Sequence, residues 1–254
     1  MNGLVAVDGL IWFLVSITAL VSFQKILHRE IQSFLLIVTR RPGITQVIFA
    51  IIFFPGVFLH ESSHFLMAKL LGVKTGKFSI FPHAMPNGRL RLGFVETETG
   101  GYFRDALIGI APLITGCVFI AIIGAEVMEL LPVWYALLEG DSSSFWFTLE
   151  ALLEKPDFFL WVYFTFVVSS TMLPSASDRH AWLPVGVFFI LLVVLALLAG
   201  AGEWMVEHLT PIVDTFFNVL AMIFGLSVLI HVLLVVPFFI LHKFAAKLSG
   251  VDAR

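Results

Sequence analysis

The chain has 254 residues, of which 59% are hydrophobic and 13% are charged, and its mean hydropathy is +0.99. This composition excludes an ordinary water-soluble globular protein and indicates a protein that lies in the lipid bilayer. The formal net charge of −3 is too small to indicate a nucleic-acid partner. The single cysteine, Cys117, excludes an intrachain disulfide and is typical of a small buried side chain.

Six apolar stretches approach the length of about 20 residues that a helix needs to cross a bilayer. The N-terminus lacks the basic region of a signal peptide, so we expect the first stretch to be retained. A further stretch, 31–38, is too short to cross and is expected to lie along the membrane interface. The sequence therefore predicts an all-α polytopic membrane protein with about six spans. The predicted spans are 4–23, 44–71, 106–130, 158–178, 182–199 and 216–241.

Segment 73–104, between the second and third predicted spans, has a different pattern. Its pieces 77–81 and 89–96 alternate polar and apolar residues, and turn-forming residues separate them. This period of two predicts a β-hairpin or a small sheet. Arg89 and Arg91 alternate with leucines, which indicates one wet face of a strand.

The charges of the connections predict an orientation. The connection 131–157 and the one between the fifth and sixth spans are acidic and are expected outside the cell membrane. Segment 73–104 and the C-terminal tail are basic and are expected inside. Alternation through six spans then places the N-terminus and the end of the second span on the cytoplasmic side. Four basic residues disagree with this orientation, because it leaves them outside: Lys25, Arg29, Arg40 and Arg41.

The second predicted span carries an H-E-x-x-H motif formed by His60, Glu61 and His64. Positions i and i+4 of a helix share one face, so both imidazoles can bind a single tetrahedral metal ion with Glu61 beside them. Ionisable side chains are costly in a membrane helix, and a bound Zn²⁺ would offset that cost. Gly56, one turn before His60, would open access to the metal. The alternative is that these residues line a polar cavity or a proton path without a metal.

A catalytic zinc ion usually takes three protein ligands, so a third ligand is expected. Asp178 is the best candidate, because it follows Pro174 in a stretch of small residues that can leave the helix and face a watery cavity. In the alternatives, Asp178 pairs with Arg179 at the interface, or His180 replaces it as a ligand. His83 is a weaker candidate, since a histidine beside prolines is more typical of a solvated turn.

Polar residues also occur in and before the sixth predicted span. His231 lies in the middle of that span and is expected to make an interhelical hydrogen bond; the alternative is a gate or proton carrier. Asp214 and Asn218 lie one turn apart and are expected to cap the outer edge of the span.

Four features follow one another in an order that resembles the site-2 protease family of intramembrane zinc metalloproteases. The resemblance covers residues 53–180. It implies that His60, His64 and Asp178 bind zinc and that Glu61 is the general base. The four features are a membrane-embedded H-E-x-x-H at 60–64, a β-hairpin at 78–96, a G-x-x-P-L span at 109–113 and P-x-x-x-D at 174–178.

The resemblance also implies a core of three helices, with the metal below the cytoplasmic face, and a transmembrane protein or peptide as substrate. The second motif of the family usually has Asn and Gly where this chain has Thr171 and Arg179. The gap from Pro174 to Asp178 is also one residue shorter. No insertion of PDZ size and no nucleotide-sensing domain is expected, so the chain resembles a minimal member.

The sequence thus predicts a zinc metalloendopeptidase that cleaves peptide bonds in or near transmembrane segments of membrane-protein substrates. The strand segment is expected to admit water and to pair with a substrate helix unwound into a strand. One alternative is a transporter or channel with a metal or proton path, which the lack of internal repeats argues against. The other is a zinc-bound scaffold without activity, which has no need of Glu61.

Overall fold

The computed structural model describes residues 8–80, 82–84 and 90–250, which form helices and a small β segment. The strands are β1 (Thr75–Ser79), β2 (His83–Ala84), β3 (Leu90–Arg91) and β4 (Phe94–Thr97). Helix α3 continues into a π-helical turn, Ile123–Val127. The helices are α1 (Asp8–Thr39), α2 (Pro42–Leu70), α3 (Tyr102–Ile122), α4 (Leu130–Glu139), α5 (Ser142–Leu153), α6 (Phe158–Thr171), α7 (Trp182–Leu198) and α8 (Gly202–Ser249).

Among the described residues, four helices are long and apolar enough to cross a membrane: α1, α2, α3 with its π-helical turn, and α8. Helices α6 and α7 are apolar but have only 14 and 17 residues. The prediction of a largely helical membrane protein with a small β segment between its second and third spans is therefore confirmed. Six spans are not confirmed, since the predicted fourth and fifth spans fall on the two shorter helices.

Two of the predicted boundaries are wrong, and one predicted connection contains helices. The stretch 31–38 is not a separate interfacial segment but the last part of α1, because Leu27 and Ile31 lie one turn apart and keep the helix packed on the bundle. The connection 131–157 contains α4 and α5. The fourth apolar helix ends at Thr171 rather than at residue 178, before Pro174, which has no backbone N–H to continue it.

Helices α2, α3 and α6 meet where glycines remove the side chain between them. Gly56 of α2 lies against the carbonyl of Val167 in α6, and Gly116 of α3 lies against the side chain of Met172. Tyr163 donates a hydrogen bond from its hydroxyl to the carbonyl of Ile52, at 2.8 Å. These contacts bring the three helices close enough for short side chains to meet between them.

Helices α1 and α8 pack side by side and run in the same direction. The backbone N–H of Gly9 donates to Asp214 at 2.9 Å at one end, and His242 donates to Glu30 at 2.6 Å at the other. Phe13 and Phe224 pack edge to face between these two contacts, with ring centroids 5.4 Å apart. Six spans that alternate in direction, as the charges of the connections predict, would make the first and last spans antiparallel. The parallel packing of α1 and α8 contradicts this prediction.

The β segment consists of two short antiparallel pairs, β1 with β4 and β2 with β3. In the first pair, Phe78 lies opposite Val95. The ring of Phe78 packs on Phe65 of α2, with centroids 5.5 Å apart. The predicted hairpin is thus present and lies against the second half of α2; Arg89 lies outside the described residues, as do the side chains of Arg91 and His83.

Candidate metal centre

The two histidines of the motif face one another on α2. Their Nε2 atoms are 3.2 Å apart, and their ring planes are nearly perpendicular. The helix is regular through this turn, although Pro55 lies inside it, because the motif follows the proline by more than one turn. Helical spacing alone therefore turns both imidazoles toward one point, as the sequence predicts.

Asp178 reaches the same point from the loop between α6 and α7. Its Oδ1 atom lies 3.5 Å from Nε2 of His64, and its Oδ2 atom lies 3.9 Å from Nε2 of His60. The backbone N–H of Ser175 donates to Oδ2 at 2.7 Å, which holds the carboxylate in a tight turn. Loss of helix after Thr171 is what allows this carboxylate to point back toward the histidines.

One atom from each of His60, His64 and Asp178 lies within 4.8 Å of the others. In the part of the chain that the structure describes, no other group of three His, Cys, Asp or Glu side chains comes as close together. Ligands at about 2.0–2.1 Å from a tetrahedral zinc ion lie roughly 3.3 Å apart. The distances between the side-chain atoms here, 3.2, 3.5 and 3.9 Å, are close to that value. The donor set and its spacing therefore fit a divalent metal ion such as zinc.

Helix α3 contacts two of the three ligand residues. The carbonyl of Ile108 accepts a hydrogen bond from Nδ1 of His64 at 2.8 Å, so the lone pair of that ring lies on Nε2. The next residue, Gly109, lies against the backbone carbonyl of Asp178, where a side chain would not fit. The small residues of the G-x-x-P-L segment thus allow the ligand loop to approach α3.

Glu61 is buried, with 9% of its surface exposed, and lies outside the group of three ligand atoms. Its side chain lies against Gly93 of the β segment: a Cβ atom on Gly93 would be 2.7 Å from Cγ of Glu61 and 3.0 Å from Val57. The sequence analysis did not predict a role for Gly93. The available signal is a glycine inside a strand pattern, which often marks close backbone approach.

The structure does not bring His180 to this point. His180 is turned away, with Nδ1 bonded to the carbonyl of Ser177 at 2.7 Å and Nε2 3.7 Å from Asp105. Arg179 donates to the carbonyl of Ser175. Among the described residues, Arg179 forms no ion pair with Asp178. The side chain of His83 lies outside the described residues, so its candidacy stays a prediction.

Two predictions about α8 have different outcomes. His231 makes the predicted interhelical hydrogen bond, with Nε2 3.0 Å from the hydroxyl of Ser170. Asp214 does not cap its own helix, because α8 already begins at Gly202; Asp214 accepts a hydrogen bond from Asn218 and caps the start of α1. The second prediction was wrong because α8 starts earlier than its apolar stretch.

Two imidazole nitrogens and one carboxylate oxygen form a donor set that catalytic zinc sites use, with one coordination position left for water or substrate. The centre lies on a helix of membrane-spanning length, next to a buried glutamate and a β segment. No family model, curated protein or solved structure matches the chain. What the protein does must therefore be inferred from this geometry.

Proposed function

We propose that the protein is an intramembrane zinc metalloprotease that hydrolyses peptide bonds in or near transmembrane segments of other membrane proteins. The observation that carries the proposal is the convergence of His60, His64 and Asp178 beside Glu61, on a helix long enough to cross a membrane. A purely structural zinc site is closed by four protein ligands and has no need of an adjacent carboxylate, whereas a hydrolytic site uses both an open position and a base.

Each residue then has a distinct role in peptide hydrolysis. His60, His64 and Asp178 would hold a zinc ion, which would supply Lewis-acid activation of the peptide carbonyl and of water. Glu61 takes a proton from the attacking water and returns it to the leaving amine. Gly93 lies against the Glu61 side chain, so the backbone of the β segment limits where this carboxylate can move.

The β segment is an argument for the proposal that the substrate is a membrane protein. A peptide bond inside a helix is protected, because its carbonyl is hydrogen-bonded within the helix. A substrate unwound into an extended strand can instead add to the edge of a short sheet such as β1–β4, which lies against the half of α2 that carries the motif. Residues that break helices in the substrate should therefore favour cleavage.

The experiment that tests this proposal compares metal content and cleavage in the same preparations. The wild type should hold about one zinc ion per chain and cleave a co-expressed single-span protein. Glu61→Gln should keep zinc and lose cleavage, whereas His60→Ala and Asp178→Ala should lose both. His208→Ala serves as the matched control, because this histidine is exposed on α8 and stacks on Trp204.

Two results would overturn the proposal. Unchanged cleavage by Glu61→Gln would remove the base from the mechanism. Zinc flux in proteoliposomes without proteolysis would show that the same residues serve transport.

A further inference from the structure

The last turn of α6 is held by side chains from two other helices. Nε2 of Gln24, on α1, donates a hydrogen bond to the backbone carbonyl of Ser170 at 2.6 Å. The hydroxyl of Ser170 lies 3.0 Å from Nε2 of His231, on α8. Ser170 and His231 are 5% and 0% exposed, so the hydrogen bond between their side chains is shielded from water.

The contacts of the His231 ring determine which group donates. Its Nδ1 atom lies 2.8 Å from the carbonyl of Ser227, one turn earlier in α8. Because a carbonyl only accepts, Nδ1 carries the proton and Nε2 accepts from the hydroxyl of Ser170. The ring of Phe166 packs on the imidazole, with centroids 5.4 Å apart. Both ring nitrogens are occupied, which is typical of a side chain that fixes a neighbour in place.

These two hydrogen bonds act where a helix leaves backbone groups without partners. The last four carbonyl groups of a helix have no donor within it, and Ser170 is the residue before the last in α6. Gln24 supplies a donor to one of these carbonyls. Since an unpaired backbone group away from water is unfavourable, the position of the end of α6 depends on α1 as well as on α8.

The end of α6 lies directly next to the metal centre. Gly56 of α2, one turn before His60, lies against the hydroxyl of Thr171, the last residue of α6. After Thr171 the chain leaves the helix, and the loop that follows brings Asp178 to the Nε2 atoms of the two motif histidines. A shift of this helix end would therefore move the third ligand relative to the other two.

We propose that Gln24 and His231 are positioning residues for the metal centre. By holding Ser170 they fix the point at which the chain leaves α6, and so the loop that presents Asp178 to the two histidines. Contacts that support metal ligands from outside the coordination sphere commonly set metal affinity. This inference rests on the proposed function only in that the centre binds zinc; it does not require that the protein cleaves peptides.

The test measures the zinc affinity of the purified full chain, in detergent, by competition with a chelator. Gln24→Leu and His231→Leu each remove one hydrogen bond to Ser170, and a double variant removes both. Ser227→Ala is the matched control, because this buried hydroxyl donates to the carbonyl of Ile223 in its own helix, at 2.9 Å. His231→Gln is the conservative variant, because an amide oxygen can accept from the hydroxyl of Ser170.

Each leucine variant should bind zinc about tenfold more weakly than the wild type, and the double variant up to about 100-fold more weakly. His231→Gln should recover most of the lost affinity, and Ser227→Ala should match the wild type. Co²⁺ loaded in place of zinc gives a second measurement, because its visible absorption depends on the geometry of its ligands. The spectrum of the double variant should shift toward that of Asp178→Ala, which a merely structural role would not cause.

Two results would overturn this inference alone. The first is that leucine variants shown to be folded by circular dichroism bind zinc as tightly as the wild type. The second is that Ser227→Ala loses as much affinity as they do. Gln24 is only partly buried, so Gln24→Leu still tests the inference if His231→Leu does not fold.

The same preparations distinguish this inference from the proposed function. A wild type that binds no zinc would overturn both. A wild type that binds zinc but does not cleave the single-span protein would overturn only the protease proposal, because zinc affinity is measured without a substrate.

Discussion

Two parts of the molecule hold their helices together by different means. Around the metal centre, Gly56 and Gly109 let backbone carbonyls of the facing elements occupy the space of a side chain. Between α1 and α8, large side chains such as Phe224 fill the interface, and the Glu30–His242 pair closes one end. Close backbone approach positions ligands tightly but tolerates no added atom, whereas side-chain packing tolerates a change of shape but not an unpaired buried charge.

The largest expected effect comes from breaking the buried pair. Glu30→Ala should reduce the free energy of unfolding by about 3–5 kcal/mol, because removal of one partner leaves the other polar group buried without compensation. The measurement is a titration of the protein, held in a mild detergent, with a denaturing detergent. Circular dichroism follows the loss of helix. The zinc content of the folded fraction should be unchanged, because Glu30 binds Arg29 and His242 and is not one of the ligand residues.

The double substitution Glu30→Leu with His242→Leu is the control for this prediction. Replacing both partners by apolar side chains removes the uncompensated polar group, so most of the stability should return. If the double variant is as unstable as Glu30→Ala, the pair does not act as a unit. If either variant loses zinc while folded, the two parts of the molecule are not independent.

A methyl group at Gly109 should have the opposite effect, because it should lower the affinity for metal rather than the stability of the fold. Gly109→Ala places a Cβ atom against the carbonyl of Asp178 and should displace the ligand loop from α3. Loss of such a supporting contact typically costs about 10–100-fold in metal affinity. Competition with a zinc chelator measures the affinity, and Gly186→Ala on α7 is the control, because its Cβ atom would meet open space. Equal affinities in the two variants would contradict the role of the close approach.

The sequence predicted the parts of the metal centre that depend on local spacing. His60 and His64 follow from the period of a helix, and Asp178 follows from a proline that ends one. Gly93 and the Glu30–His242 pair were missed, because a sequence does not state which distant segments become neighbours. The predicted alternation failed for the same reason, since loop charges say nothing of the contact between Gly9 and Asp214 that makes α1 and α8 parallel.

Substitution of Gly93 separates metal binding from catalysis and rests on the proposed function. Gly93→Ala brings a Cβ atom to 2.7 Å from Cγ of Glu61 and should shift the carboxylate. A small misplacement of a catalytic group lowers the rate, here by about tenfold, while zinc content stays at the wild-type level. Cleavage of the single-span substrate is the measurement, with Gly225→Ala as a control whose Cβ atom meets nothing within 4 Å. Loss of zinc by Gly93→Ala would instead make Gly93 part of the metal-binding architecture.

The smallest effect is expected in α5, which belongs to neither part and is held at its start by a polar cap. Asp141 accepts hydrogen bonds from the hydroxyls of Ser143 and Ser144 and from their backbone N–H groups. These hydrogen bonds lower the pKa of the Asp141 carboxyl to about 2. Because the carboxylate is the form that caps the helix, its contribution is complete above the ordinary pKa of about 3.9 and is lost as the pH falls through about 2.

Hydrogen exchange of the amides at the start of α5 tests this cap without involving the metal centre. Between pH 5 and pH 2, after correction for the intrinsic rate, protection of the Ser143 and Ser144 amides should fall in the wild type. Asp141→Asn keeps an oxygen acceptor but cannot titrate, so its protection should not depend on pH, and Asp141→Ala should lose protection at every pH. A pH dependence that persists in Asp141→Asn would assign the titration to another group. An effect of either variant on zinc content would show that α5 is coupled to the metal-binding helices, which its packing on α4 does not predict.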